Sequence, residues 1–173
     1  STNPAFEKLH HAHRLDKDTT GCLLIGNGTQ NIRQLNSLFQ KGNITKIYTA
    51  ICCGSFQEKE GEIILSLARN EEGKLPKVIV SNSGKVTKLK YEVIDEIQLI
   101  TGFMHQIRVT MQYLNHPILG DTMYGNLRLN EKFSNDISRQ LLHSSRIEFN
   151  WRGEDVKVEA KLPCDFKILL NKI

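Results

Sequence analysis

Long apolar runs are missing from this sequence. None approaches the roughly 18 residues that a membrane-spanning helix needs, which argues against a helical membrane protein. Cysteine is sparse: Cys22, Cys52, Cys53 and Cys164 include no C-x-x-C pair, and the adjacent pair sits in an apolar stretch. That pattern points to four reduced thiols in a cytosolic, cytoplasmic protein rather than a disulfide or zinc framework. The opening "STNPAFEKLHH" has neither the apolar core of a secretory signal nor the arginine-rich character of a transit peptide. A phosphate loop is also wanting, because "GNGTQN" (26–31) has glycine ahead of a helix but no Lys-Ser/Thr after it. No G-x-S-x-G is present, so nucleophilic serine hydrolysis has no local support. The net charge of +4 is mild; it permits a polyanionic partner without requiring one.

What is present is enough for one domain with a sizeable core in 173 residues. "CLLIG" (22–26) reads as a short buried strand. In "NIRQLNSLFQKG", Ile32, Leu35, Leu38 and Phe39 share one helical face and Gly42 is the stop. "KIYTAICCG" (46–54) is β-branched and aromatic, as suits a central strand. Further strands are expected over 62–67, 77–81, 86–95 and 98–101, the last two hairpin-paired. The segment "MHQIRVTMQYL" is helical: Met104, Ile107, Met111 and Leu114 make an apolar stripe, and His105, Arg108 and Gln112 line up on another face. "NHPILGDTMYGN" (115–126) breaks that helix. Strands at 143–149 and 155–160 and a helix near 165–172 close the chain. The expected class is α+β, with a mixed, largely antiparallel central sheet and flanking helices.

The chemistry is concentrated in a few places. "HHAH" (His10, His11, His13) suggests a metal cluster, but its spacing does not put three imidazoles on one side of a strand. His116, Asp121 and His143 complete a site only if the fold gathers them. "HRLDKDTTG" (13–21) sets Asp16 between Arg14 and Lys17, which suits a surface ion pair or a carboxylate kept ionised for catalysis. Asp16 before a strand, Tyr48 within one and Arg108 on a helix occupy three separate, rigid elements of the kind that position a site well. Each also has a plain reading, as a turn cap, a core ring and a solvated helix cation.

Taken in order along the chain, these motifs resemble those of the RluA-type pseudouridine synthases, which include RluC- and RluD-like enzymes. "HRLDKDTTG" resembles H-R-L-D-x-x-T-S-G, "KIYTAICCG" resembles K-x-Y-x-A, and "GKVTKLKYEV" loosely resembles G-K-x-x-x-T-x-Y-x-V. "TGFMHQIRVTMQYLNHPILGDTMYG" resembles T-G-R-x-H-Q-I-R-x-H followed by G-H-P-I-x-G-D-x-x-Y-G, and "LLHSSRIEF" resembles a late L-H-A…L-x-F strand. The departures are Thr20, Phe103, Thr110 and Asn115, where the family pattern has serine, arginine, histidine and glycine.

The resemblance implies that the chain isomerises uridine to pseudouridine in RNA, large-subunit ribosomal RNA first and transfer RNA second. It places Asp16 at the catalytic aspartate, Tyr48 against the target base and Arg108 as the cation paired with the carboxylate. It sets Arg14, His105, Gln106 and Ile107 at the substrate. It implies no cofactor, no metal and no membrane partner; a monomer is the default expectation. Lys17, Arg33, Lys41, Lys46, Lys85, Lys88 and Lys90 are the candidate phosphate contacts. The family usually carries an N-K-P-x-G segment well upstream, often after an S4 RNA-binding domain, whereas here twelve residues precede His13. With no initiator methionine either, the expectation is that 1–173 is an N-terminally truncated catalytic domain. Two other readings stay open on the residues: an RNA-binding module without catalysis, and a metal-dependent hydrolase built on the histidines.

Overall fold

The computed structural model describes residues 9–72, 76–93 and 97–172. Its main sheet grows outward from β4 (Ile44–Ala50), the β-branched and aromatic segment, which is paired on one side with β9 (Leu142–Trp151) and on the other with β8 (Ile97–Leu99). Beyond β9 lies β10 (Glu154–Glu159); beyond β8 follow β7 (Lys85–Glu92), β5 (Glu60–Asn70) and β6 (Lys77–Val80). All these neighbours are antiparallel. The short β2 (Thr20–Gly21) runs parallel to β9, so the sheet is mixed and largely antiparallel, as its alternation suggests. The register of β4 on β9 slips between Ile47 and Tyr48, a bulge that re-aims the strand at the tyrosine.

Among the described residues, four helices accompany the sheet: α1 (Thr29–Gln40), α2 (Gln106–Tyr113), α3 (Leu127–Lys132) and α4 (Cys164–Leu170). α1 ends as its sequence requires, with Gly42 at φ 72°, a conformation that glycine adopts without the penalty of a Cβ. Ile107 and Met111 of α2 pack with Tyr48, Leu89, Ile97, Leu99 and Leu142 of the sheet. Phe166 and Leu169 of α4 close a second cluster with Leu119 and Leu141. Each such side chain contributes roughly 1.5–3 kcal/mol through burial. Among the described residues, no helix is long and apolar enough to cross a membrane.

The structure departs from the sequence pattern in three places. Cys22–Leu24 is not a strand; the chain leaves the main sheet after β2 and enters a separate two-stranded sheet of β1 (Leu9–His11) and β3 (Ile25–Asn27). The cause is local. Cys22 N–H donates to the Ser144 carbonyl at 2.8 Å, while Leu24 N–H already donates to Nε2 of His13 at 3.0 Å. α3 appears where no helix is expected, and its six residues are capped by the Asn126 side chain, which accepts from Leu129 N–H. β7 ends at Glu92, and the last part of the strand expected over 86–95 lies outside the described residues.

Candidate active site

Asp16 sits in a turn that several elements hold in place. Leu15 packs against the main core cluster, and Thr19 N–H closes the turn onto the Asp16 carbonyl at 3.0 Å. Gln140 donates from Nε2 to the Lys17 carbonyl at 3.0 Å and to the Thr19 hydroxyl at 2.8 Å. Arg139 donates to the Asp18 carbonyl at 3.1 Å and is itself paired with Asp165 of α4. At the end of the turn, Gly21 has φ 110°, and a Cβ there would fall 2.1 Å from the Ser144 carbonyl oxygen. Glycine at the end of "HRLDKDTTG" is therefore a packing requirement that lets β2 lie on β9. Arg139 and Gln140 escape sequence reasoning because their partners lie more than a hundred residues away and no periodicity marks them.

The ion pair of Asp16 is with neither sequence neighbour. Arg14 and Lys17 are exposed, and the cation beside the carboxylate is Arg108 of α2, with NH1 3.7 Å from Oδ2. Arg108 is only 6% exposed, so the solvated polar face suggested by helical spacing becomes an interior row at this point. Six consecutive residues of α2, from Gln106 to Met111, are buried. The guanidinium survives burial because Asp121, at 0% exposure, receives it through two bonds: Nε to Oδ2 at 2.7 Å and NH2 to Oδ1 at 2.9 Å. Oδ1 of Asp121 also accepts the N–H groups of Met123 and Tyr124 at 2.8 and 2.9 Å. Burial works against the charge of Arg108, but its hydrogen bonds and charge pairing with Asp121, and then Asp16, more than offset this. Burial likewise opposes the ionised form of Asp121, yet Arg108 and the two backbone donors hold its carboxyl below the usual range.

Tyr48 closes the group from β4. It is 6% exposed, and burial pushes its phenol up to about 12; the neighbouring Ser144 hydroxyl works the other way, and the negative charge of Asp16 adds to the rise. His105 stands at the N-cap of α2 with φ 55°, its Nδ1 3.0 Å from the Tyr124 hydroxyl. Burial lowers its pKa and favours the neutral ring, with Asp16 acting in the opposite sense. The Tyr124 hydroxyl accepts Val78 N–H at 2.7 Å, and the Arg108 guanidinium lies 5.0 Å from the Tyr124 ring centre. Among the described residues, the interior of the site thus carries one cation, Arg108, between two carboxylates.

Other candidates are placed differently. Gln106 is buried with its amide engaged at both ends: Oε1 accepts from the Thr101 hydroxyl and Phe103 N–H, and Nε2 donates to the Lys88 carbonyl. Ile107 is in the core. Lys88 and Lys90 both pair with Glu62, whereas Lys17, Arg33, Lys41 and Lys85 are exposed. Lys46 is half-buried, and burial lowers its pKa. The histidines disperse. His116 stacks on Phe56 at 3.8 Å, His143 bonds the Thr20 hydroxyl at 2.8 Å, and Asp121 is committed to Arg108. Among the described residues, no group of three His, Cys, Asp or Glu side chains is gathered as metal ligands. A cavity of about 610 Å³ adjoins Tyr48, Cys52, Phe56, Tyr91 and Met111, but Asp16 and Arg108 do not line it.

The turn, strand and helix that carry Asp16, Tyr48 and Arg108 all fall in a segment, residues 3–113, that matches the family model described as RNA pseudouridylate synthase. The chain belongs to the RNA pseudouridylate synthase family. Among curated relatives it is 29% identical, over 95% of its length, to ribosomal large subunit pseudouridine synthase C of Vibrio parahaemolyticus, covering 55% of that protein. It is 32% identical, over 93% of its length, to ribosomal large subunit pseudouridine synthase D of Haemophilus ducreyi, covering 54% of it. The chain therefore spans about half the length of the curated relatives it matches. The fold agrees with that of human RNA pseudouridylate synthase domain containing 4, with a TM-score of 0.79 at 27% identity over 95% of this chain and 75% of that one. The human domain containing 1 protein gives 0.76 at 25% identity over 90% and 70%. The synthase family match ends before Asp121, so the partner that holds Arg108 comes from outside the matched segment.

Proposed function

We propose that this synthase-family chain isomerises uridine to pseudouridine within RNA, with large-subunit ribosomal RNA as the substrate and Asp16 as the catalytic carboxylate. One observation carries the reading. Asp16 keeps 24% of its side chain exposed, faces a buried guanidinium at 3.7 Å, and accepts no hydrogen bond on its carboxylate among the described residues. Its oxygens are free to react, and a fixed cation stands beside them. A structural carboxylate at such a junction would be saturated, as Asp121 is.

The isomerisation breaks the N1–C1′ bond, turns the uracil in place and joins C5 to C1′; the C5 proton is lost and N1 gains one, so the sum is unchanged and no redox cofactor is called for. Three routes use an ionised oxygen at this position: addition to C1′, addition to the ring, and removal of the 2′ proton to give a glycal. In each, Arg108 keeps a fixed positive charge beside Asp16 and balances the charge that develops on the departing base. Tyr48 forms the floor of the site, and the base rests against the part of its ring that solvent reaches, a contact of roughly 1–3 kcal/mol if it resembles other base–aromatic stacking. The nucleotide must leave its stack to reach Asp16. Exposed Arg14 is assigned to the RNA backbone and His105 to the rim of the site. Gln106 and Ile107 serve the substrate from beneath, by fixing the 101–105 turn and seating α2. The names of the curated relatives support ribosomal RNA. Such a substrate goes with a cytoplasmic protein that works as a monomer.

The test is incubation of the full-length gene product with ribosomal RNA transcripts, followed by chemical mapping of pseudouridine. Conversion at discrete uridines is expected. Retention of RNA with no conversion would turn the reading into that of a non-catalytic binding module.

A further inference from the structure

The distances around Arg108 are unequal in a way that an ion pair with Asp16 alone does not explain. The guanidinium gives its Nε–NH2 edge to Asp121 at 2.7 and 2.9 Å, and only NH1 is turned to Asp16, at 3.7 Å, beyond hydrogen-bond length. A carboxylate free to choose would draw the same fork to itself at about 2.7–2.9 Å. Asp121 prevents this because it cannot move. Its Oδ1 is pinned by the Met123 and Tyr124 N–H groups, and its carbonyl accepts from Gly125 N–H and from Asn130 Nδ2, both at 3.0 Å. Asn130 in turn accepts Gly120 N–H at 2.8 Å, so the whole 120–125 turn is braced from α3. The Tyr124 ring, 5.0 Å from the guanidinium, completes the seat.

We infer that Asp121 is a positioning residue that holds Arg108 off Asp16, so that the reactive carboxylate feels the cation without surrendering its lone pairs to it. The catalytic consequence rests on the proposed role of Asp16; the geometric one does not. Asp16 lies within electrostatic reach of Arg108 and His105 of α2, Tyr48 of β4 and Tyr124 of the braced turn, with Arg14 and Lys17 on its own segment. Asp121 stands behind Arg108 from the same turn. Neutralising Asp121 removes a competing anion and releases the fork, which is then free to bond Asp16.

Asp121→Asn keeps an acceptor for the two backbone N–H groups and removes the charge. In its crystal structure the Arg108–Asp16 contact is expected to close to about 3 Å. On ribosomal RNA transcripts, kcat is expected to fall by about tenfold or more with KM little changed. A purely structural Asp121 would lower stability and activity while leaving the Arg108–Asp16 contact where it is, and that result would overturn the inference. Asp16→Asn provides a second arm that does not disturb the buried pair: Arg108 should stay on Asp121 at its present distances, and departure of the guanidinium would refute the clamp. Absence of synthase activity in wild type would sink the functional reading, while the crystal structures of the two variants would still decide the clamp.

Discussion

Replacing Arg108 with methionine tests the buried pair directly. Methionine fills much the same volume and removes only the charge and its donors. It strands Asp121, which is completely buried, without a counter-ion, and breaking a buried pair in this way costs about 3–5 kcal/mol. Oδ1 keeps the Met123 and Tyr124 N–H bonds, so the lower end, about 3 kcal/mol, is expected. For a domain of this size that is a fall of about 6–12 °C in Tm. The dependence on pH is more telling than the size. In wild type the Asp121 carboxyl lies below its ordinary value, so it contributes stability above that value and loses the contribution as pH falls through its folded pKa. In the variant, burial is no longer opposed by the guanidinium and the carboxyl rises instead. The variant is then relieved, not harmed, as acid protonates Asp121. Urea unfolding of both proteins from neutral pH down to about pH 4 should show a gap that is widest at neutrality and narrows toward acid. A gap below about 1 kcal/mol at neutral pH, or one of constant width, would refute the electrostatic reasoning.

Other expectations concern the elements around the pair. Tyr48→Phe should leave kcat within about tenfold of wild type, because a phenol raised to about 12 is protonated at neutral pH and serves mainly as a surface; a loss above about a hundredfold in single-turnover assays would assign the hydroxyl a proton-transfer part. Gly21→Ala should pull β2 from β9 and displace the Asp16 turn, since its Cβ would fall 2.1 Å from the Ser144 carbonyl oxygen. Thermal unfolding should drop by several degrees and activity should fall with it, and a fully stable, active variant would mean that the close approach is not needed.

The parts of the fold written as local periodicity were legible in advance. β4, β5, the β7–β8 hairpin, the strands β9 and β10, α1 and α2 all follow from alternation or from three-and-four spacing that the tertiary structure leaves intact. The rest depends on distant partners. β1 and β2 are three and two residues long, and such fragments are strands only because β3 and β9 lie beside them. α3, at six residues, is too short to declare itself and exists through its cap and its packing. The candidate site divides in the same way. Asp16, Tyr48 and Arg108 stand out in sequence through motifs, and the fold brings Arg108 to Asp16 and keeps Tyr48 within reach of its charge. That Arg108 is interior was not visible, because helical spacing shows which residues share a face but not what covers the face. Here the cover is Asp121 and Tyr124, from a segment that reads only as a helix-breaking turn.

The most direct measurement compares wild-type protein with Asp16→Asn on ribosomal RNA transcripts under single-turnover conditions, with RNA binding recorded alongside. Binding is expected within about threefold of wild type, with turnover reduced by about a thousandfold or more. Undiminished pseudouridine formation in the variant would contradict the catalytic role of Asp16.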